Sequence, residues 1–316
     1  MRILITGSSG LIGSALRPAF ATAGHSVIRL VRSGQGGLEG QKGHEGQEAN
    51  PAEGAILWDP RLGSMEPGER ARLEGLDAVV HLAGESIAGG RWTAGRKAKI
   101  RDSRVLVTRF LATVLAGLER PPRVMVCASA VGYYGDRGDE VLTEESSSGE
   151  GFLAGLCQEW EQAAEPAREK GIRVVNLRIG LVLSGAGGAL KQMLTPFRLG
   201  LGGVIGSGRQ YWSWIAIDDV VGAFQHALIT DSLRGPVNTV GPGPVTNREF
   251  TRTLGRVISR PTVFPLPAFA ARLAFGDMAN ELLLAGQRVE PRRLIESGYE
   301  FRFRDLDAAL RHVLNR

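Results

Sequence analysis

In the segment TGSSGLIGSAL, Gly7, Gly10 and Gly13 fall directly after an apolar run and at the opening of an amphipathic one. A dinucleotide diphosphate needs that spacing. The first glycine makes a tight turn, the second lets backbone approach the pyrophosphate, and the third lets the following helix pack closely. The start of that helix offers free N–H groups and a favourable dipole to the anion. Ser9, Leu11 and Ile12 lie within the same turn and join the glycines as expected cofactor contacts. The next apolar run ends Leu30-Val31-Arg32-Ser33. An NAD-binding strand usually ends there in an acid that bonds the ribose 2′-hydroxyl. No carboxylate is present, and Arg32, beside Val31, suits a 2′-phosphate instead, so the expected cofactor is NADP(H). A solvated arginine at a strand end is the plainer alternative.

The elements that must hold this loop follow from periodicity. Arg2–Thr6, Ser26–Val31, Asp77–Leu82, Val124–Ala128 and Val174–Leu177 read as strands. Leu11–Ala23, Ala94–Leu118 and Gly151–Lys170 read as helices between them. Apolar strands alternating with helices predict an α/β protein whose parallel sheet is covered on both faces. The Gly/Glu/Gln-rich stretch between Ser33 and Gly54 has no periodicity and reads as a mobile surface loop. After Val240 the texture becomes helical and proline-punctuated. The expected organisation is a nucleotide-binding domain over 1–240 and a smaller helical lid over 241–316, with 185–210 contributing to the substrate side.

Composition narrows the function classes. The 316 residues include 43% hydrophobic and 22% charged positions, an ordinary balance for a globular chain. A net charge of +5 invites a nucleic-acid reading, but the basic residues are scattered and interleaved with 33 acids, so no nucleic-acid partner is expected. No run of eighteen apolar residues occurs, and the chain enters directly at MRILITG, so neither a membrane span nor a signal peptide is expected. Two cysteines, Cys127 and Cys157, build no disulfide framework and suit a reducing cytoplasm. His25, His44, His81, His226 and His312 show no ligand spacing, so no metal is expected. A monomer or homodimer acting on a small molecule is the expectation.

Several segments together resemble the extended short-chain dehydrogenase/reductases of the NAD-dependent epimerase/dehydratase superfamily. TGSSGLIG is similar to its glycine signature, DAVVHLAGE to its fourth-strand segment, CASAVGYYG to the end of strand five, LRIGLVLSGAGGAL to the stretch after strand six, and WIAIDDVV to a later motif in which an aspartate orders the substrate side. HLAGESI, RWT…IRDSR, FLAGLCQEWE, LGLGGVIGSGRQYWSWI and EFTRTLGRV…LLLAGQRVEPRRL resemble more closely the atypical YfcH-type epimerase-family subgroup. The resemblance spans nearly the whole chain and implies a Rossmann-type doubly wound parallel sheet with a smaller, mainly helical C-terminal substrate portion. It also implies that Leu82, Ala83, Gly84 and Val182 border the nicotinamide side of the cofactor.

Typical members carry Tyr-x-x-x-Lys on the helix that here reads GEGFLAGLCQEWEQAA. The tyrosine passes a proton to or from the substrate oxygen, and the lysine lowers its pKa and holds the ribose. Aligning Glu161 with the glutamate that often follows puts Leu153 in the tyrosine slot and Cys157 in the lysine slot. Four residues after Tyr133, Tyr134, Tyr211 and Tyr299 come Arg137, Gly138, Ile215 and Phe303, so the motif exists nowhere in the chain.

Replacement chemistry must come from other positions. Ser129 keeps the strand-five hydroxyl, and Tyr133 or Tyr134 could supply the missing proton, with Arg137 able to favour the phenolate. A satisfied strand-end hydroxyl and aromatic walls are the alternatives. Cys157 on an apolar face reads as inert. Lys99 and Arg104 suit ribose or phosphate contacts, or merely a solvated cationic face. Arg178, which opens the segment after strand six, is a further pocket residue and an expected cofactor contact. Glu85, Trp212 and Trp214 are candidate substrate contacts, with a helix-start charge and core packing as alternatives. Together these residues suggest an NADP(H)-dependent oxidoreductase or epimerase-like enzyme. The rival is a non-catalytic NADP(H) sensor, favoured by loss of the tyrosine and lysine.

Overall fold

The computed structural model describes residues 1–33, 54–60 and 62–316, so most of the stretch read as a mobile loop lies outside the described residues. In chain order the first half contains β1 (Arg2–Thr6), α1 (Leu11–Thr22), β2 (Ser26–Arg32), β3 (Ala55–Trp58), α2 (Pro67–Ala71), β4 (Ala78–His81), α3 (Ala94–Ala116) and β5 (Val124–Ala130). Then come β6 (Val141–Leu142), α4 (Phe152–Gln162), α5 (Glu165–Glu169), β7 (Arg173–Ile179), β8 (Leu181–Leu183) and α6 (Gly188–Arg198). The remainder holds β9 (Tyr211–Trp212), β10 (Trp214–Ala216), α7 (Ile217–Ile229), β11 (Gly235–Thr239), β12 (Val245–Thr246), α8 (Asn247–Val257), α9 (Ala268–Phe275), β13 (Arg288–Val289), α10 (Arg292–Glu296) and α11 (Leu306–Val313).

Seven parallel strands form one sheet in the order β11-β7-β5-β4-β1-β2-β3. One face buries Ile3, Ile5 and Val126 against Leu16 and Phe20 of α1 and Phe224 of α7. The other buries Leu4, Val79 and Met125 against Leu111 and Leu115 of α3 and Ala167 of α5. Strands covered on both faces have no polar side to alternate with, which is why they read as continuous apolar runs. The chain leaves β1 toward β2 and β3, then returns to place β4 on the opposite side of β1. This reversal makes the carboxyl ends of β1 and β4 the topological switch point, where such sheets open a ligand crevice.

Three details depart from the sequence reading. β3 adds an unexpected edge strand, and β11 closes the other edge. The single helix expected over Gly151–Lys170 is two, broken at Ala163–Ala164, because Pro166 occupies the first turn of α5; a proline there has no N–H to continue the preceding helix. Short strands occur beyond Val240: β12 pairs with β9 and β13 with β6. Among the described residues no helix is long and apolar enough to cross a membrane.

A buried polar chain ties the sheet to α3 and α4. Thr6 Oγ1 accepts from the backbone N–H of Leu82 and Ala83, so its own proton points to His81 Nδ1 at 2.8 Å. His81 Nε2 then donates to Thr108 Oγ1 at 2.9 Å, which also accepts from the Trp160 indole at 3.0 Å. Burial lowers the His81 pKa to about 4. The unfolded chain therefore binds the proton first, so stability is whole above about pH 6.5 and falls as pH drops toward 4. Unfolding titrations should show a loss of about 3 kcal/mol across that interval, and His81→Gln should flatten this slope; an unchanged slope in the variant would refute the assignment.

Candidate functional site

Gly7 ends β1 with φ +65°, a conformation that disfavours any side chain, and a Cβ there would lie 2.8 Å from the Leu82 carbonyl carbon. The turn is thus pressed against the segment that leaves β4. Gly13 is equally constrained, since a Cβ would meet the Gly7 oxygen at 2.4 Å. It seats α1 on the turn itself rather than on the strand. Gly10 differs. Its backbone is extended, and a Cβ would meet only the Gly7 oxygen, at 3.3 Å. Gly10 caps α1 with no side-chain hydrogen bond, so the first-turn N–H groups of Leu11, Ile12 and Gly13 face the crevice without an intrahelical acceptor. Ser9 is exposed beside them. An uncapped twelve-residue helix behind a turn with bare space over Gly10 fits a dinucleotide diphosphate.

The remaining cofactor candidates are spread over β2, the segment after β4, α3 and β8. Arg32 is exposed at the end of β2, next to half-buried Val31. Leu82, Ala83 and Gly84 follow β4, and Gly84 lies against Arg104 of α3, whose Cζ would be 3.2 Å from a Cβ at that position. Val182 is half-buried on β8 and packs on the core. Lys99 is exposed on α3. Glu85 is exposed and ion-paired to Arg96 at 2.9 Å, and its backbone N–H donates to Ser103 Oγ at 3.0 Å.

Residues from β5, α4 and β7 meet in a network the sequence did not announce. Arg178, 3% exposed, forks onto Glu161, with Nε to Oε1 and Nη2 to Oε2 both at 2.8 Å. Ser129 donates its hydroxyl proton to the same Oε1 at 2.7 Å. Arg178 Nη1 donates to the Tyr134 hydroxyl at 3.0 Å. The guanidinium carbon also sits 3.4 Å from the centre of the Tyr133 ring. Burial alone would lower the Arg178 pKa, but the Glu161 carboxylate reverses this and holds the guanidinium above its ordinary value. Arg178 is thus fixed and charged within the protein, and the direct cofactor contact expected of it gives way to an inward role.

The two tyrosines separate cleanly. Tyr134 is fully buried, and its hydroxyl faces Thr143 O at 2.9 Å and Asn238 Oδ1 at 2.7 Å. Burial raises its pKa, and its bonds are spent on structure. Tyr133 is half-buried and follows Gly132, whose Cα abuts Leu153, the residue in the vacated tyrosine slot. Its partner is Arg178, not Arg137, which instead binds Glu140. Ser129 is 4% exposed and has given its proton to Glu161, so it could only accept from a ligand.

Helix α4 explains the missing pair. Leu153, Leu156 and Trp160 pack with Trp92, Ile100 and Val105. Cys157 is buried, and burial pushes its thiol up to about 12. The first N–H groups of the helix are held by the Glu281 carboxylate, at 3.0 Å from Phe152 N and 2.7 Å from Leu153 N. Trp212 and Trp214 belong to another cluster, with Phe250, Leu254 and Leu310. Trp214 is 1% exposed and its indole donates to Gly243 O at 2.7 Å, so it packs the core and faces no ligand. Trp212 is buried beside it. Asp219 accepts from the backbone of Arg302 and Phe303 and from Tyr299, tying α7 to the C-terminal segment. No group of three or more His, Cys, Asp or Glu among the described residues could hold a metal ion.

Comparison with known proteins agrees with the fold. The model of the NAD dependent epimerase/dehydratase family matches residues 3–241, and one described as a domain of unknown function (DUF1731) matches residues 266–313. Epimerase family protein Mb2239 of Mycobacterium bovis is 45% identical over 314 residues, 99% of this chain and 98% of its own. The human epimerase family protein SDR39U1 is 36% identical over 99% of this chain and 100% of its own. A crystal structure of that human protein with NADPH superposes with a TM-score of 0.86 at 35% identity over 100% of both chains. The chain belongs to the NAD-dependent epimerase/dehydratase family.

Proposed function

We propose that this protein binds NADP(H) across the carboxyl edge of its sheet and acts on a small polar substrate as an oxidoreductase or epimerase-like enzyme, with Tyr133 in place of the missing helix tyrosine. The observation that carries this reading is the half-buried Tyr133 ring, stacked on a locked Arg178 and one residue beyond Gly132, whose backbone abuts Leu153 in the vacated slot. When bound, the nicotinamide supplies or accepts a hydride. The chain's own part is to hold and protonate. Tyr133 gives a proton to, or takes one from, the substrate oxygen. The Arg178 charge lies on its ring face, where it steadies negative charge developing on the phenol oxygen. Glu161 keeps Arg178 from swinging toward the ligand, and Ser129 offers a lone pair. Residues 241–316, together with 185–210, cover the substrate side.

NADP(H) rather than NAD(H) rests on Arg32 standing where an acid would bond the ribose, and on NADPH in the structure of the human relative. Calorimetric titration should show NADPH binding more tightly than NADH, and Arg32→Ala should erase most of that preference. Equal affinities in the unmodified protein would sink the assignment. A second reading, a non-catalytic NADP(H) sensor, is favoured by the packed, inert Leu153 and Cys157 on α4. Screening carbonyl compounds and nucleotide sugars for NADPH oxidation distinguishes the two, since a sensor shows saturable binding with no turnover.

A further inference from the structure

Sites along the carboxyl edge follow the strand order. Arg32 ends β2, the glycine turn ends β1, Gly84 follows β4, and Ser129 lies near the end of β5 with Tyr133 just beyond it. A dinucleotide laid with its 2′-phosphate at Arg32 and its diphosphate on the α1 N-terminus therefore brings its second ribose to Gly84, one strand short of Tyr133. That position holds an arginine. Arg104 leaves α3, crosses the Trp160 ring at 5.1 Å, and lies against Gly84, close enough that a Cβ there would be 3.2 Å from its Cζ. Cys157 lies three residues before Trp160 on the same buried face of α4, near enough to Arg104 for the thiol and the guanidinium to perturb each other's ionisation. Among the described residues its one hydrogen bond runs from Nη1 to Ile100 O at 3.0 Å. No carboxylate among the described residues pairs with it, whereas nearby Arg96 is bonded to Glu85. A half-buried guanidinium held by its own helix, with no carboxylate bonded to it and the nearby Glu85 charge already paired to Arg96, has donors to spare at the edge of the crevice.

We propose that Arg104 takes over the holding role of the lysine that Cys157 has displaced: its guanidinium binds the nicotinamide-side ribose between Gly84 and Cys157. This rests on the NADP(H) reading above. The small, uncharged Cys157 makes the arrangement possible, because a lysine there would place a second cation against Arg104. The exchange has a chemical consequence. A guanidinium does not give up its proton in proteins, so Arg104 orients the ribose without relaying protons, and Tyr133 stands alone in acid/base work.

The test uses Arg104→Met, which keeps an unbranched apolar stem over Trp160 and removes the donors. Two probes are titrated into the unmodified protein and the variant: NADPH, and 2′,5′-ADP, which lacks the second ribose. Thermal unfolding without ligand checks the fold. The expected result is a loss of about tenfold or more in NADPH affinity, with 2′,5′-ADP affinity and melting temperature unchanged. Adding Cys157→Lys to Arg104→Met should recover part of the NADPH affinity, while Cys157→Lys alone should not raise it. Equal NADPH affinity in the folded variant, or parallel losses for both probes, would overturn the proposal for Arg104 while leaving nucleotide binding intact. No binding of either probe to the unmodified protein would overturn the NADP(H) reading and this inference with it.

Discussion

Tyr133→Phe is expected to lower turnover by about a hundredfold or more on any substrate that the unmodified protein reduces or epimerises, because a positioned proton donor is worth roughly that much. The substitution is unusually clean here. The ring remains for Arg178 to stack on, and the Tyr133 hydroxyl makes no hydrogen bond within the described protein that its loss would break. Stability should therefore barely change. Tyr134→Phe should behave the other way. It strips a buried hydroxyl from Arg178 Nη1, Asn238 and Thr143, and leaving such groups unsatisfied costs about 1–3 kcal/mol. Parallel steady-state kinetics and denaturant unfolding separate the two effects. A Tyr133→Phe enzyme with full turnover would move the chemistry away from this loop.

Glu161→Ala should be among the most destabilising single changes in the chain. Arg178 and Glu161 have side chains only 3% and 11% exposed, and the fork between them is bidentate. Removing one member of a buried pair leaves the other desolvated and uncompensated, at a cost of about 3–5 kcal/mol. Ser129 loses its acceptor at the same time. Glu161→Gln, which keeps an oxygen for one arm of the fork, should lose less. Denaturant unfolding that shows Glu161→Ala within about 1 kcal/mol of the unmodified protein would mean the pair is not the brace proposed here.

The difference between what the sequence discloses and what it hides follows from range. The glycine turn is legible because strand, turn and helix are consecutive and each glycine answers a local constraint. The flanking strands are legible because both faces are buried and each reads as an apolar run. The Arg178–Glu161 fork is not legible. Its partners sit on β7 and α4, and Glu161 looks like one more polar residue on a helix until folding brings α4 against β5 and β7. Arg137 was the nearer basic residue to Tyr133 in sequence, but it is drawn to Glu140, and Arg178 arrives through the parallel register that pairs it with Ser129. Trp214 misleads for the opposite reason: an aromatic cluster at a junction fills core as readily as it stacks on ligands. Strand β3 escapes because four residues are too few to establish a period.

The proposed function requires a nucleotide diphosphate on the turn at the switch point between β1 and β4. Its most direct measurement is calorimetric titration of NADPH into Gly10→Val beside the unmodified protein, with thermal unfolding to confirm the fold. The Gly10 backbone is extended and its Cβ direction is open apart from the Gly7 oxygen at 3.3 Å, so valine is accommodated by the protein but fills the space above the N–H groups of α1. The expected result is a folded variant with a melting temperature near that of the unmodified protein and no measurable NADPH binding. A folded variant that binds NADPH as the unmodified protein does would contradict it.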